Sequence, residues 1–107
     1  MTRLALVITT VSNEADAQAL SDSILQSRLA ACVTTLPGAQ SRYWWEGEIT
    51  SSAEWLLMIK TTTDRMDALR DHVAHHHPYD TPEFIEIPIQ SALAAYAAWV
   101  QNETRPQ

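Results

Sequence analysis

Tyr43-Trp44-Trp45-Glu46-Gly47-Glu48 lies between two extended, apolar-rich segments, residues 31–45 and 49–61. Two such runs meeting at a turn signal around Gly47 predict a long β-hairpin. It is long for its chain. A strand of about 15 residues reaches roughly 50 Å at about 3.3 Å per residue, whereas a chain of this size folds to a globule roughly 35 Å across. Part of the hairpin therefore leaves the subunit or bends sharply. Pro37-Gly38 offers the bend, because proline cannot donate to a central ladder and glycine within a strand often marks a bulge.

Outward from the hairpin, residues 4–11 are nearly continuous apolar and β-branched, which predicts a strand buried on both faces. The apolar run stops at Val11 without a small-residue cleavage pattern, so it reads as a strand and not a signal peptide. Ser12-Asn13 can cap a helix over residues 14–28, with Glu14 and Asp16 at its positive end and Ala17, Leu20, Ile24 and Leu25 as its apolar stripe. In the hairpin's second strand Trp55, Leu57 and Ile59 alternate with Leu56 and Met58, so both faces are apolar. Thr63-Asp64 predicts the cap of a second helix, with Met66, Leu69, Val73 and His76 near one face and Pro78 ending it. Pro82 opens a short strand over residues 84–89 with Ile85, Ile87 and Ile89 on one side, and Pro88 marks it as an edge. Ser91 starts a third helix carrying Leu93, Tyr96, Ala97, Trp99 and Val100.

The expectation is one α+β domain over residues 1–107, in ferredoxin-like βαββαβ order, with a long central hairpin and an extra C-terminal helix. Two helices can cover only one face of a four-stranded sheet, and strands one and three are apolar on both. Neighbouring copies of the chain are therefore expected against the second face.

Hydrophobic residues make up 46% of the chain and charged residues 19%, with no run of 18 apolar residues, so a soluble globular protein without a membrane span is expected. Cys32 is the only cysteine; no internal disulfide can form, and a cytoplasmic location follows as the expectation. A formal charge of −6, one lysine and scattered arginines weigh against nucleic acid and anionic membranes as partners. A cation is electrostatically allowed.

His72, His75 and His76 stand at i, i+3 and i+4, so two or three imidazoles can share a helix face suited to Cu(II), Ni(II) or Zn(II). Asp80 and Glu83 just beyond can supply oxygen ligands or orient a ring. The competing reading is that histidines at a helix C-terminus simply face water. Cys32 reads either as a nucleophile or as a small buried hydrophobe, and Ala31-Cys32-Val33 offers no base to activate it. Tyr43 and Trp45 share one face and Trp44 takes the other, which favours interface anchoring over a single stacking platform. Lys60 with Thr61 and Thr62 reads as an anion site in a cleft beside the second helix, or as a solvated strand end. Glu46 and Glu48 read as an acid/base pair, or as charges that guard the hairpin tip. A phosphate hydrolase would want an arginine and backbone donors after the first strand, and a copper chaperone would want paired cysteines there; Thr10-Val11-Ser12-Asn13 supplies neither set.

Leu29-Ala30-Ala31-Cys32-Val33, Pro37-Gly38, Ser41-x-Tyr43-x-Trp45-Glu46-Gly47, Ile59-Lys60-Thr61, His76-His77-Pro78-Tyr79-Asp80-x-Pro82-Glu83 and Tyr96-x-x-Trp99 together resemble the CutA-type divalent-cation tolerance proteins over nearly the whole chain. The resemblance implies a ferredoxin-like homotrimer whose long hairpins pair between subunits, placing Tyr43, Trp44 and Trp45 at the trimer interface. It also implies a non-enzymatic role in tolerance of copper and other divalent metals, with a Cu2+ ion and no organic cofactor. His76 and His77 match the family's paired histidines, with His72 a further metal candidate beside them. Thr9 stands where some members place a cysteine ligand, and threonine is a poor ligand for a soft metal. The alternative expectation is a trimeric regulatory or scaffolding module that binds a small anion in inter-subunit clefts, with Lys60, Tyr79 and Glu83 as cleft candidates.

Overall fold

Residues 3–106 are described by a computed structural model. The chain runs β1 (Leu4–Val11), α1 (Glu14–Gln26), β2 (Cys32–Trp45), β3 (Glu48–Thr62), α2 (Met66–His76), β4 (Ile85–Pro88) and α3 (Ala94–Glu103). The strands form one antiparallel sheet in the order β2-β3-β1-β4, a mixed α+β architecture with three helices. β1 and β3 are central, which is why both read as apolar on both faces.

One face of the sheet carries the main core. Ala5, Val7 and Val11 of β1 and Leu57 and Ile59 of β3 pack against Ala17, Leu20 and Ile24 of α1 and Met66, Leu69 and Val73 of α2. Each Val, Leu, Ile or Met side chain among these, fully buried, contributes about 1.5–3 kcal/mol. Asn13 caps α1 as expected: its Oδ1 accepts from the Asp16 N–H at 2.8 Å. α3 covers one end of the opposite face, where Val100 is buried and Thr104 Oγ1 lies 3.4 Å from Thr62 Oγ1. The rest of that face stays open, with Leu36, Ile85 and Ile87 exposed and Leu6, Ile8, Leu56 and Met58 half-buried.

The hairpin accommodates its length in both expected ways. The molecule measures 44 × 25 × 22 Å, and Trp44 and Trp45 near the tip are 73% and 62% exposed. The β2–β3 register shifts between Leu36 and Ala39, so Pro37-Gly38 forms a bulge, with Gly38 at φ +82°. At the tip Trp45 pairs with Glu48, and Glu46 and Gly47 both take positive φ, the signature of a two-residue type I′ turn.

Several expected boundaries move, the end of α1 among them, at Gln26 instead of residue 28. Thr63-Asp64 does not cap α2 directly: residues Thr63–Arg65 form a 3₁₀ turn, and Thr62 Oγ1 donates to Asp64 Oδ1 at 2.6 Å. β4 is shorter than residues 84–89, because Phe84 packs against the core instead of joining the ladder. α3 begins at Ala94 and not Ser91, with Leu93 at its N-cap and no side-chain cap.

Candidate functional site

The segment after α2 returns to the end of β1 and the middle of β3, where His77 meets Thr10 and Tyr79 meets Glu54. His77 leaves helical geometry at the residue before Pro78, and its backbone N–H closes α2 on the Val73 carbonyl at 2.8 Å. This turn carries the imidazole inward, to 7% exposure. His77 Nε2–H donates to the Thr10 carbonyl at 2.9 Å, and Nδ1 accepts from the Tyr79 N–H at 3.1 Å. Both nitrogens are used, so the ring is the neutral Nε2–H tautomer. Burial holds its pKa below the usual value, against the Thr10 bond and the charges of Asp16 and Glu54.

Tyr79 meets the edge of that imidazole at 4.8 Å and donates its hydroxyl to Glu54 Oε2 at 2.9 Å. Glu54 is a carboxylate of β3 with 7% exposure, paired across the strands with Ala39 just past the bulge. Burial and the Glu54 carboxylate push the Tyr79 hydroxyl up to about 12. Glu83 is pushed up too, by burial and then by Glu54. The cluster is acidic and internally hydrogen-bonded, which disfavours an anion. Sequence reading missed Glu54; its signal is a charge between Ala53 and Trp55 at the start of the apolar run of β3, opposite the residue that follows the Pro-Gly step.

The remaining histidines lie on α2, outside this cluster. His72 and His76 stack with centroids 4.0 Å apart and planes 15° from parallel. His75 Nδ1–H donates to the Asp71 carbonyl at 2.7 Å and His76 Nδ1–H to the His72 carbonyl at 2.9 Å. His72 Nε2 lies 2.9 Å from Ser23 Oγ. Burial lowers the His72 pKa, and the neighbouring His76 and His75 lower it further. His76 stays exposed; the core position after Val73 that the helical stripe assigns to it goes to His77.

The metal set implied by the sequence resemblance does not fit a metal ion here. His77 has no free nitrogen, and Thr9 is fully buried with its Oγ1 unpartnered, a hydroxyl and not a soft donor. Among the described residues no three His, Cys, Asp or Glu side chains gather so as to hold a metal.

Lys60 lies apart from Tyr79 and Glu83. It stands six positions from Glu54 along β3, about 20 Å at about 3.3 Å per residue, on the sheet face away from α2. Its ammonium donates to Thr34 Oγ1 and lies 3.8 Å from Cys32 Sγ, a cross-strand cation that the residues beside Cys32 do not reveal. Thr61 and Thr62 do not join Lys60: both are buried, with Thr61 Oγ1 donating to the Leu29 carbonyl at 2.7 Å. At the tip, Tyr43 Oη lies 2.6 Å from Ser52 Oγ, and Glu46 and Glu48 are exposed. A depression of about 360 Å3 lined by Arg3, Ile89, Gln90, Ser91 and Gln101 contains none of the candidate residues.

The family model described as CutA1 divalent ion tolerance protein matches residues 5–103. The chain belongs to this CutA1 family. It is 45% identical over 100 residues to the chloroplastic CutA 1 protein of Oryza sativa, covering 94% of this chain and 56% of that one, so it spans about half the length of this plant relative. It is 41% identical over 100 residues to the divalent-cation tolerance protein CutA of Pectobacterium atrosepticum, covering 94% and 91% of the two chains. The crystal structure of CutA1 from Oryza sativa superposes with a TM-score of 0.94 at 43% identity, covering 98% of this chain and 96% of that one. A CutA structure from Archaeoglobus fulgidus, described as periplasmic, superposes at 0.92 with 29% identity over 95% and 99% of the two chains. CutA1 relatives thus carry different compartment names on one fold.

Proposed function

We propose that this chain acts as a non-enzymatic homotrimer in tolerance of divalent cations, copper first among them, in the cytoplasm. One observation carries the assembly: the sheet face opposite α1 and α2 holds Leu6, Ile8, Leu36, Leu56, Met58, Ile85 and Ile87 with α3 over one end only. Exposed apolar surface of this extent is what neighbouring subunits cover. Family membership supports the divalent-cation role. The non-enzymatic reading is supported by the way His77, Tyr79 and Glu54 bond to one another and to backbone, without a poised base or nucleophile. The anion-binding alternative is weakened by Glu54 and Glu83 beside Tyr79 and by the engagement of Lys60 with Thr34.

Light scattering of the untagged chain is expected to give three times the monomer mass, and deletion of the gene from its host is expected to lower growth in excess copper. A monomer in solution, or unchanged growth in copper, overturns the corresponding half of the proposal.

A further inference from the structure

We infer that Cys32 and Lys60 form a peroxide-sensitive pair, in which oxidation of the thiol joins its sulfur to the lysine nitrogen as a sulfenamide and ties the edge strand β2 to β3. The pair acts independently of the cation role proposed above.

Cys32 is the chain's one cysteine and Lys60 its one lysine. The sheet register sets these two directly opposite each other. Residues so paired carry their Cβ atoms about 4.5–5.5 Å apart on one face of the sheet. The Lys60 ammonium donates to Cys32 Sγ at 3.8 Å, and also to Thr34 Oγ1, two residues on along the same face of β2. Its flexible four-carbon stem lets the nitrogen leave Thr34 and close on the sulfur. The thiol is half-buried, so a solute as small as peroxide reaches it. The pair sits beside α3 and not at the centre of the open face. Lys60 is two residues from Thr62, whose hydroxyl lies 3.4 Å from Thr104 Oγ1, and the Tyr96 hydroxyl of α3 is pushed up by burial and then by the charge of Cys32.

The thiolate is the form that reacts with hydrogen peroxide. Its sulfur attacks one peroxide oxygen; an S–O bond forms, the O–O bond breaks, and hydroxide leaves with the electron pair. That hydroxide takes a proton from the Lys60 ammonium, giving water and a neutral amine. The amine nitrogen then attacks the sulfenic sulfur. An S–N bond forms, the S–O bond breaks, and hydroxide departs with the amine's proton as a second water. Sulfur is oxidised by two electrons and peroxide is reduced by two. A sulfenic acid ordinarily condenses with a thiol or with a nitrogen. This chain has no second thiol, and Lys60 supplies the nitrogen. An added thiol reverses the step: its thiolate attacks the sulfur, the S–N bond breaks, the amine takes up a proton, and a further thiol exchange frees Cys32.

A tryptic peptide map of the untagged full chain after one equivalent of hydrogen peroxide tests this. Trypsin cuts after lysine and arginine, so the oxidised chain should yield residues 29–42 joined to residues 43–65, uncut after Lys60 and lighter by two hydrogens than the separate pieces. Dithiothreitol should restore both the thiol and the cut. Lys60→Arg keeps a cation that does not lose its proton, and should leave Cys32 carrying added oxygen and no joined peptide. Thr34→Val frees Lys60 from one hydrogen bond and should speed joining roughly two- to tenfold. In urea, with the strands apart, the joined peptide should vanish from the parent. Ordinary cleavage after Lys60 in the oxidised folded parent overturns the pair, whether Cys32 then carries oxygen, is bound to another chain's Cys32 or is unchanged. An equal yield of joined peptide in urea overturns it too.

Discussion

Replacing Tyr79 with phenylalanine removes one hydroxyl and leaves the aromatic packing. That hydroxyl donates to Glu54 Oε2 at 2.9 Å, and Glu54 is only 7% exposed, so water replaces the lost donor poorly. A hydrogen bond to a charged group is worth about 1.5–3 kcal/mol, and Tyr79→Phe is expected to destabilise by that amount at neutral pH. In urea, with a slope of about 1–3 kcal/mol per molar, the midpoint should fall by roughly 1 M at matched protein concentration. The pH dependence gives a second check. The folded Tyr79 hydroxyl is raised from 10.0 to about 12, so its contribution is complete below pH 10 and is lost as pH climbs through 12. The gap between parent and variant should therefore narrow over that window, because the parent must ionise a hydroxyl beside Glu54 and the variant has none. A loss under about 0.5 kcal/mol at neutral pH, or a gap that stays constant with pH, would refute the buried Tyr79–Glu54 link.

Thr9→Val replaces a fully buried, unpartnered hydroxyl by an isosteric methyl, and is expected to raise stability by about 1–2 kcal/mol in the same urea assay. Glu83→Gln removes a like charge facing Glu54; because the folded Glu83 pKa is raised, the variant should gain stability at neutral pH and lose that gain as acid protonates Glu83 in the parent. At the hairpin tip Gly47→Ala meets no atom within 4 Å yet must hold φ +81°, so a loss of about 1–2 kcal/mol in thermal melts would be purely backbone. Glu46→Asn at φ 51° should stabilise the same turn, by roughly 0.5 kcal/mol.

Elements with strong local signals were legible in the sequence. β1 occupies residues 4–11 as its nearly continuous apolar and β-branched run requires, Asn13 caps α1, and the Pro37-Gly38 step bends the hairpin. Local signals failed where tertiary contacts outweighed them. Ser91 looked like a cap, yet α3 starts at Ala94 behind an uncapped Leu93. Helical spacing put His76 near the face of Met66, Leu69 and Val73; α2 does run through His76, yet that ring stays exposed, and His77, moved out of helical geometry before Pro78, turns in. The Glu54–Tyr79 link spans 25 positions and the Lys60–Cys32 approach 28, so both come from strand register and loop return, which no short window reports.

The bulge at Pro37-Gly38 changes the parity of β2. Before it, even-numbered Cys32, Thr34 and Leu36 oppose Lys60, Met58 and Leu56; after it, odd-numbered Ala39, Ser41, Tyr43 and Trp45 oppose Glu54, Ser52, Thr50 and Glu48. The extra residue works like a frameshift for side chains. It puts Tyr43 and Trp45 on the same side as Leu36, and sends Trp44 to the other. Deleting it would swap those aromatics without shortening the ladder by more than a step. Which aromatic ring shares a face with Leu36 is therefore written at Pro37-Gly38, several residues away from the rings themselves.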